Sequence, residues 1–286
     1  MRRDKNYISF NEIVYELKRS GGDHRRVAVP LPGPVPSFGI ILYHCQKPIR
    51  DLYTGLLSPT AAALVARYHG SSIFYLVMQR RATIEYTTLI LGNWRFRDLH
   101  TLFSLLTPSE RERVVNHSFG ELWDDLMSGS DAKQREYSEK RFSLLAPRLR
   151  DLVSLTRSNT RHPEIMFPKG RTNPGENELE AAKREFREET DVAIDECVVV
   201  PIEPFTELYR GSNGVLYSTK FFMMRCPWLP KRTVPKGHEA SSVFWVSPRK
   251  TEGVRSVDNL DFSTRRRQLL ESVHNSIVEY EKGTEY

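Results

Sequence analysis

Little in the 286-residue sequence points to the cell exterior or to a bilayer. Its three cysteines, Cys45, Cys197 and Cys226, are too few and too scattered for a disulfide frame or a zinc site, so a reducing, cytoplasmic setting is the simplest expectation. No apolar run approaches the roughly 18 residues that cross a bilayer, and Met1-Arg2-Arg3-Asp4 leads into a polar segment without the apolar centre of a signal peptide. No histidine follows His238-Glu239 three residues later, which excludes a zincin motif. Neither sign of charge dominates: 42 Lys and Arg face 36 Asp and Glu, a formal net charge of +6 with a pI near 9.2. That mild excess favours an anionic partner, nucleic acid or a polyphosphate, over a membrane. Apolar residues make up 39% of the chain, enough to bury one large core or two smaller ones.

One stretch organises the rest, from Phe167 to Val192. Its first part, Phe167 to Gly175, holds two glycines, two prolines and two cations, which disfavours helix and suits a tight loop near a phosphate. Asn177 and Glu180 then form a capping pair, and Glu178 to Thr190 contains strong helix formers with no Gly or Pro. On a wheel of roughly 100° per residue, Glu185, Glu188 and Glu189 share a face, joined by Glu178 from two turns earlier. Leu179 and Phe186 point to a neighbouring face. The helix is therefore expected to pack one side on a sheet and to present crowded carboxylates beside it, which repel unless cations lie between them. Arg184, one turn before Glu188, is placed to pin it.

The order Gly170, five residues, Glu176, seven residues, Arg184-Glu185-Phe186, one residue, Glu188-Glu189, one residue, Asp191, Val192 resembles the Nudix box throughout, with one departure. The family has Gly where this chain has Asp191, at a helix C-terminus that wants a left-handed residue; Asp tolerates that conformation better than most. The resemblance implies an α+β fold, the Nudix α/β/α sandwich with a mixed sheet, here interrupted by an all-α insertion. It also implies hydrolysis of a pyrophosphate linkage with Mg2+ or Mn2+ on oxygen ligands. Glu185 and Glu189 are the first-choice ligands, Glu188 stands beside them, and Glu176 is an outer support or a further ligand. Glu239 is expected to meet the metals and to act as general base, with Glu188 in reserve. Lys169, Gly170 and Arg171 are placed to cradle substrate phosphate oxygens, Lys169 as a catalytic cation.

The flanking chain divides into segments. Residues 1–36 read as an appended helix with Ile8, Val14 and Leu17 docking, then a Pro-rich linker. Residues 37–92 open the Nudix domain with strands Phe38–Cys45 and Ile73–Arg81, a short helix from Thr60 to Arg67 between them, and Ile84–Gly92 as a further strand or a support. Residues 93–156 turn helical, with an apolar stripe of Phe96, Leu99, His100, Phe103 and Leu106 and a capping box at Thr107–Glu110. Charges in this block nearly cancel, and Trp94 and Trp123 are better suited to a core than to a base. Residues 157–254 carry the box at 170–192, strands Val198–Leu208 and Val215–Met224, and Glu239 six residues before Trp245 on a late strand. Residues 255–286 form a terminal helix headed by Arg265-Arg266-Arg267, a cationic run at a helix start that points to an anionic partner.

Phe167-Pro168-Lys169-Gly170 ahead of the box, the helical block, an early strand ending Gln79-Arg80-Arg81 and the Glu239-to-Trp245 spacing look like the mRNA-decapping Nudix enzymes of large nucleocytoplasmic DNA viruses, the asfarvirus type. This implies capped mRNA as substrate, m7GDP and 5′-monophosphate RNA as products, a helical insertion that grips RNA, and a viral protein acting in host cytoplasm. Two other readings stand beside it: a hydrolase of diphosphoinositol polyphosphates or nucleotide diphosphates, and a Nudix-shaped RNA-binding module without activity. The complete set of box glutamates argues against the last.

Overall fold

The computed structural model describes residues 8–21, 33–46, 72–127, 131–212, 214–229, 235, 239–248, 255–257, 260 and 262–283. The chain divides into two compact units, one of residues 1–35, 80–163 and 209–217, the other of residues 36–79, 164–208 and 218–286. The expected helix from Thr60 to Arg67 and most of the Pro-rich linker lie outside the described residues. Val35 and Pro36, expected in that linker, already belong to the first strand.

The first unit is helical: α1 (Phe10–Gly21), α2 (Ile84–Ile90), α3 (Leu99–Leu105), α4 (Pro108–Asn116), α5 (Phe119–Leu126), α6 (Ala132–Ser143) and α7 (Leu149–Ser154). They surround one apolar cluster in which Val14 and Leu17 of α1 meet Leu99, Phe103, Leu106, Leu122 and Leu152. His100 departs from the expected stripe: it stays exposed, its ring edge-on to Phe10 at 5.1 Å. Ile84–Ile90 is a helix, not a strand. Thr83 caps it by accepting from the Tyr86 N–H, and Tyr86, Leu89 and Ile90 recur at helical spacing into the core, so cap and period override β-branched content. Glu110 ties the unit together, because its buried carboxylate accepts from the Thr83 N–H, the Thr83 hydroxyl and the Thr107 N–H. Trp94 and Trp123 are both buried, which gives them to the core and removes them as base-stacking surfaces. Arg141 lies over the Trp94 ring at 3.9 Å while donating to the carbonyls of Gly92 and Trp94.

The second unit holds the sheet. Its strands are β1 (Val35–Gln46), β2 (Ser72–Arg80), β3 (Ile165–Met166), β4 (Lys169–Gly170), β5 (Val198–Val199), β6 (Phe205–Arg210), β7 (Leu216–Arg225), β8 (Ala240–Ser247) and β9 (Arg255–Ser256), the β6–β7 hairpin tip excepted. Among the described residues they form one mixed sheet in the order β5-β7-β1-β2-β8-β9, with β3 on β2, β4 on β1 and β6 on β7. The β1–β2 pair is antiparallel with Tyr43 opposite Tyr75, whereas β8 and β9 run parallel. The expected strand from Val198 to Leu208 is broken into β5 and β6 across Pro201 and Pro204, which cannot donate to a ladder.

The period-two alternation builds the sandwich. Ile41, Tyr43, Ile73, Tyr75 and Val77 face a layer closed by Leu270, Val273 and Ile277 of α9 (Thr264–Gly283). Ile40, Leu42, Leu76 and Met78 face the opposite layer, closed by Ala182 and Phe186 of α8 (Glu178–Thr190). The structure is thus α+β with helices on both faces of a mixed sheet.

The arginine run at the start of α9 has internal partners. Arg265 pairs with the buried Glu207 at 2.7 Å, Arg266 is itself buried on Glu164 and the Ile165 carbonyl, and Arg267 donates to the carbonyls of Phe262 and Leu260. These contacts replace the external anion expected there. Replacing Arg266 by Ala leaves Glu164 and a buried carbonyl unpaired, and should lower unfolding free energy by about 2–4 kcal/mol in a urea titration.

Candidate functional site

Close backbone approach positions the loop before α8. Phe38 stands opposite Gly170 and Gly39 opposite Lys169, so β4 lies against β1. A Cβ at Gly39 would come within 2.5 Å of the Pro168 carbonyl oxygen, which is why no side chain is tolerated there. Gly170 is tighter still: a Cβ would fall 1.9 Å from Cδ of Glu185. The carboxylate of Glu185 therefore occupies the space that the missing side chain leaves.

α8 begins and ends as its sequence implies. The Asn177 side chain accepts from the Glu180 N–H and the Glu180 carboxylate from the Asn177 N–H, a complete capping box. The helix ends on Asp191 at φ 55° and ψ 25°, the left-handed residue that the Gly-to-Asp departure requires.

Arg184 is the hub of the polar face. Its guanidinium grips Glu176 through Nε at 2.6 Å and Nη2 at 3.0 Å, reaches Glu185 at 2.9 Å and Glu188 at 3.0 Å, and caps the Arg171 carbonyl at 2.7 Å. The expected Arg184–Glu188 contact is one part of this set. The guanidinium, together with the Asn173 N–H, pulls the Glu176 carboxyl down to about 2. Arg184 itself is held more firmly protonated by Glu176 first and by Glu185 and Glu188 after it. Glu176, expected as outer support or ligand, accepts from Arg184 with both its oxygens.

The other carboxylates lack so full a counter-charge. Glu189 is only 6% exposed, and its carboxylate accepts the Lys169 N–H at 2.8 Å. Burial pushes its carboxyl well up, and the Glu239 carboxyl pushes further by charge and by a hydrogen bond between the two side chains. Glu185 is raised too, first by burial, then by Glu188 and Glu239, with Arg184 opposing. Glu239, exposed at the head of β8, thus joins the helix carboxylates in space although 50 positions separate it from Glu189. Glu188 is exposed, as is Arg171.

These oxygen donors suit a hard divalent cation, because a second positive charge beside them would relieve the burial and repulsion that lift the Glu185 and Glu189 carboxyls. Among the described residues no three His, Cys, Asp or Glu side chains stand as a finished cation cage. Arg184 neutralises one end of the array instead. None of the described helices is long and apolar enough to cross a membrane.

Comparison with known proteins agrees with this geometry. Residues 142–270, a span that holds α8, Glu239 and most of the sheet, match the family model described as "NUDIX domain". Among solved structures the chain is similar to the Caenorhabditis elegans Ap4A hydrolase at 12% identity and TM-score 0.32, over 74% of this chain and 80% of that one. It is also similar to that enzyme's binary complex, at 13% identity and TM-score 0.40 over 86% and 98%. A MutT/nudix family protein from Enterococcus faecalis matches at 13% identity and TM-score 0.41 over 96% and 76%. At such low identity and overlap these likenesses say nothing of what the chain binds. No curated protein matched the sequence.

Two substitutions separate architecture from chemistry. Gly170→Ala should displace the Glu185 carboxylate and weaken Mn2+ affinity roughly 10–100-fold in a calorimetric titration, with the circular dichroism spectrum unchanged. Asp191→Gly should raise unfolding free energy by about 0.5–1 kcal/mol and leave that affinity intact.

Proposed function

We propose that this chain hydrolyses phosphoanhydride bonds with Mg2+ or Mn2+, and that its substrate is the 5′ cap of mRNA, cleaved to m7GDP and 5′-monophosphate RNA. The observation that carries the hydrolase reading is the convergence of Glu239 with Glu189 and Glu185. Two carboxylates at low exposure, Glu185 and Glu189, with the exposed Glu239 pressed against them, are costly unless the site binds cations. A bound divalent ion supplies charge neutralisation of phosphate oxygens and a more acidic water.

In this reading Glu185 and Glu189 hold the metal, with Glu188 and Glu239 completing the donor set. The Lys169 N–H orients Glu189, and Arg184 anchored by Glu176 orients Glu185 and Glu188. Glu239 takes the proton of the attacking water, because it is the exposed member of the buried pair and lies outside the helix, where it can face the phosphorus from the far side. Glu188 is the other candidate base. The Lys169 side chain, the bare backbone of Gly170 and the exposed Arg171 meet the phosphate oxygens.

The cap assignment adds the helical unit of residues 80–163. Its tryptophans are buried, so the proposal places RNA on exposed cations such as Arg95, Arg150 and Arg157, held by charge rather than by stacking.

The test is incubation of cap-labelled RNA with Mg2+ or Mn2+, alongside Glu189→Gln. Labelled m7GDP should appear with the unmodified protein and fall at least about 100-fold in the variant. Consumption of a diphosphoinositol polyphosphate or a nucleotide diphosphate, with capped RNA untouched, would assign a different hydrolase. Salt-sensitive RNA binding without turnover of any of these would make the chain a binding module.

A further inference from the structure

Cys197 and Cys226, far apart in sequence, meet at the sheet edge. Val198 stands opposite Arg225 and Val199 opposite Met224, so the next pair outward in this antiparallel register is Cys197 with Cys226. The Val200 N–H donates to the Met223 carbonyl, which marks that pair as hydrogen-bonded. Alternation then makes Val198–Arg225 the next bonded pair and Cys197–Cys226 a non-bonded one. The amides agree: the Cys197 N–H turns to the Ile194 carbonyl at 3.0 Å and the Cys226 N–H to the Tyr43 carbonyl at 2.7 Å, both away from the shared position. Non-bonded antiparallel pairs bring Cα atoms to about 4.5 Å, inside the roughly 4.4–6.8 Å range that a disulfide spans. The three cysteines are free, as expected, and the strand register still brings two of them together.

We propose that Cys197 and Cys226 are a reversible redox pair that closes to a cross-strand disulfide when a peroxide oxidises the half-exposed Cys197. Both are free thiols, Cys226 buried and Cys197 partly open, so the oxidant meets Cys197 first. The two thiols are hydrogen-bonded to each other; this contact, aided by the Trp228 N–H, draws the Cys226 thiol down to about 7 while the Cys197 thiol is raised. Cys197 thus holds the shared proton at rest, and that proton passes to the Cys226 sulfur as Cys197 attacks. In the first step the Cys197 sulfur bonds to one peroxide oxygen, the O–O bond breaks, and the departing hydroxide takes a proton from solvent to become water. In the second the Cys226 sulfur attacks the Cys197 sulfenic acid, the S–S bond forms, the S–O bond breaks, and a second water leaves with the Cys226 proton. Two thiols lose two electrons and the peroxide gains them.

The bond would join the chain leaving α8 to the end of β7. Val192 and Ile194, on that exit, pack in the same layer as Phe186. Cys45 is no competitor, because it sits in the opposite layer of the sheet. In reducing surroundings the pair rests as thiols and responds only to oxidant.

The full-length reduced protein is treated with hydrogen peroxide in native buffer, alkylated, and mapped by mass spectrometry without reduction. The expected result is loss of two of the three alkylatable thiols, one peptide linking Cys197 to Cys226, an alkylated Cys45, and recovery of both thiols with dithiothreitol. Cys197→Ser, at the half-exposed position, should form no link and leave Cys226 a thiol. A Cys197 carried to sulfinic acid, a link to Cys45 or to a second chain, or unchanged thiols would each overturn the proposal.

Discussion

The polar face of α8 is governed by repulsion. Glu185 and Glu189 sit at low exposure because Ala182 and Phe186 must reach the sheet, and β8 brings Glu239 to meet them. Like charges at such range cannot all ionise without help. One remedy is built in: Arg184, clamped by Glu176 and the Arg171 carbonyl, neutralises the Glu185–Glu188 end. At the Glu189–Glu239 end the Lys169 N–H and side chain offer partial relief, and burial still holds the Glu189 carboxyl high. A carboxyl raised on folding contributes stability below the ordinary carboxylate range and loses it as pH rises through its folded value. Above that folded value this end of the site is a strain on the fold, which a divalent cation bound as proposed would relieve.

That constraint explains the surrounding architecture. Gly39 lets the 168–170 loop lie on β1, and Gly170 leaves room for the Glu185 carboxylate. The Asn177–Glu180 box fixes where α8 starts, which sets the rotation of its carboxylates against the sheet. Asp191, left-handed at the far end, turns the chain back so that Val192 and Ile194 close the core beneath the helix. Gly170, the Asn177–Glu180 box and Asp191 lie within one short stretch, and Gly39 reaches it from β1.

Locality also decides what the sequence made legible. The cap, the helix span and the left-handed terminus depend on residues a few positions apart, and periodicity exposes them. The α+β sandwich came from the resemblance of the 170–192 stretch, and the alternation that gives β1 and β2 two buried faces emerged only in the structure. What escaped depends on partners distant in sequence or on a competing signal. Arg265 to Arg267 looked like an anion site because Glu207, Glu164 and the Phe262 and Leu260 carbonyls could not be seen facing them. The Cys197–Cys226 contact needed a strand register. Ile84–Ile90 carried strand-like residues that competed with the Thr83 cap and the helical spacing of Tyr86, Leu89 and Ile90. The spacing of Glu239 from Trp245 marked it for attention, and its meeting with Glu189 required the fold.

In the reading proposed above, the crowded carboxylates of α8 and β8 form a cation site whose occupancy stabilises the fold. Thermal unfolding followed against increasing Mg2+ or Mn2+ tests it most directly, because a ligand bound only by the folded state raises stability by RT ln(1 + [L]/Kd), about 2.7 kcal/mol at a hundredfold excess over Kd. A saturable rise in Tm with either ion is expected, and Glu189→Gln should lose that rise. A Tm that stays flat with both ions, or that rises equally in the variant, would contradict it.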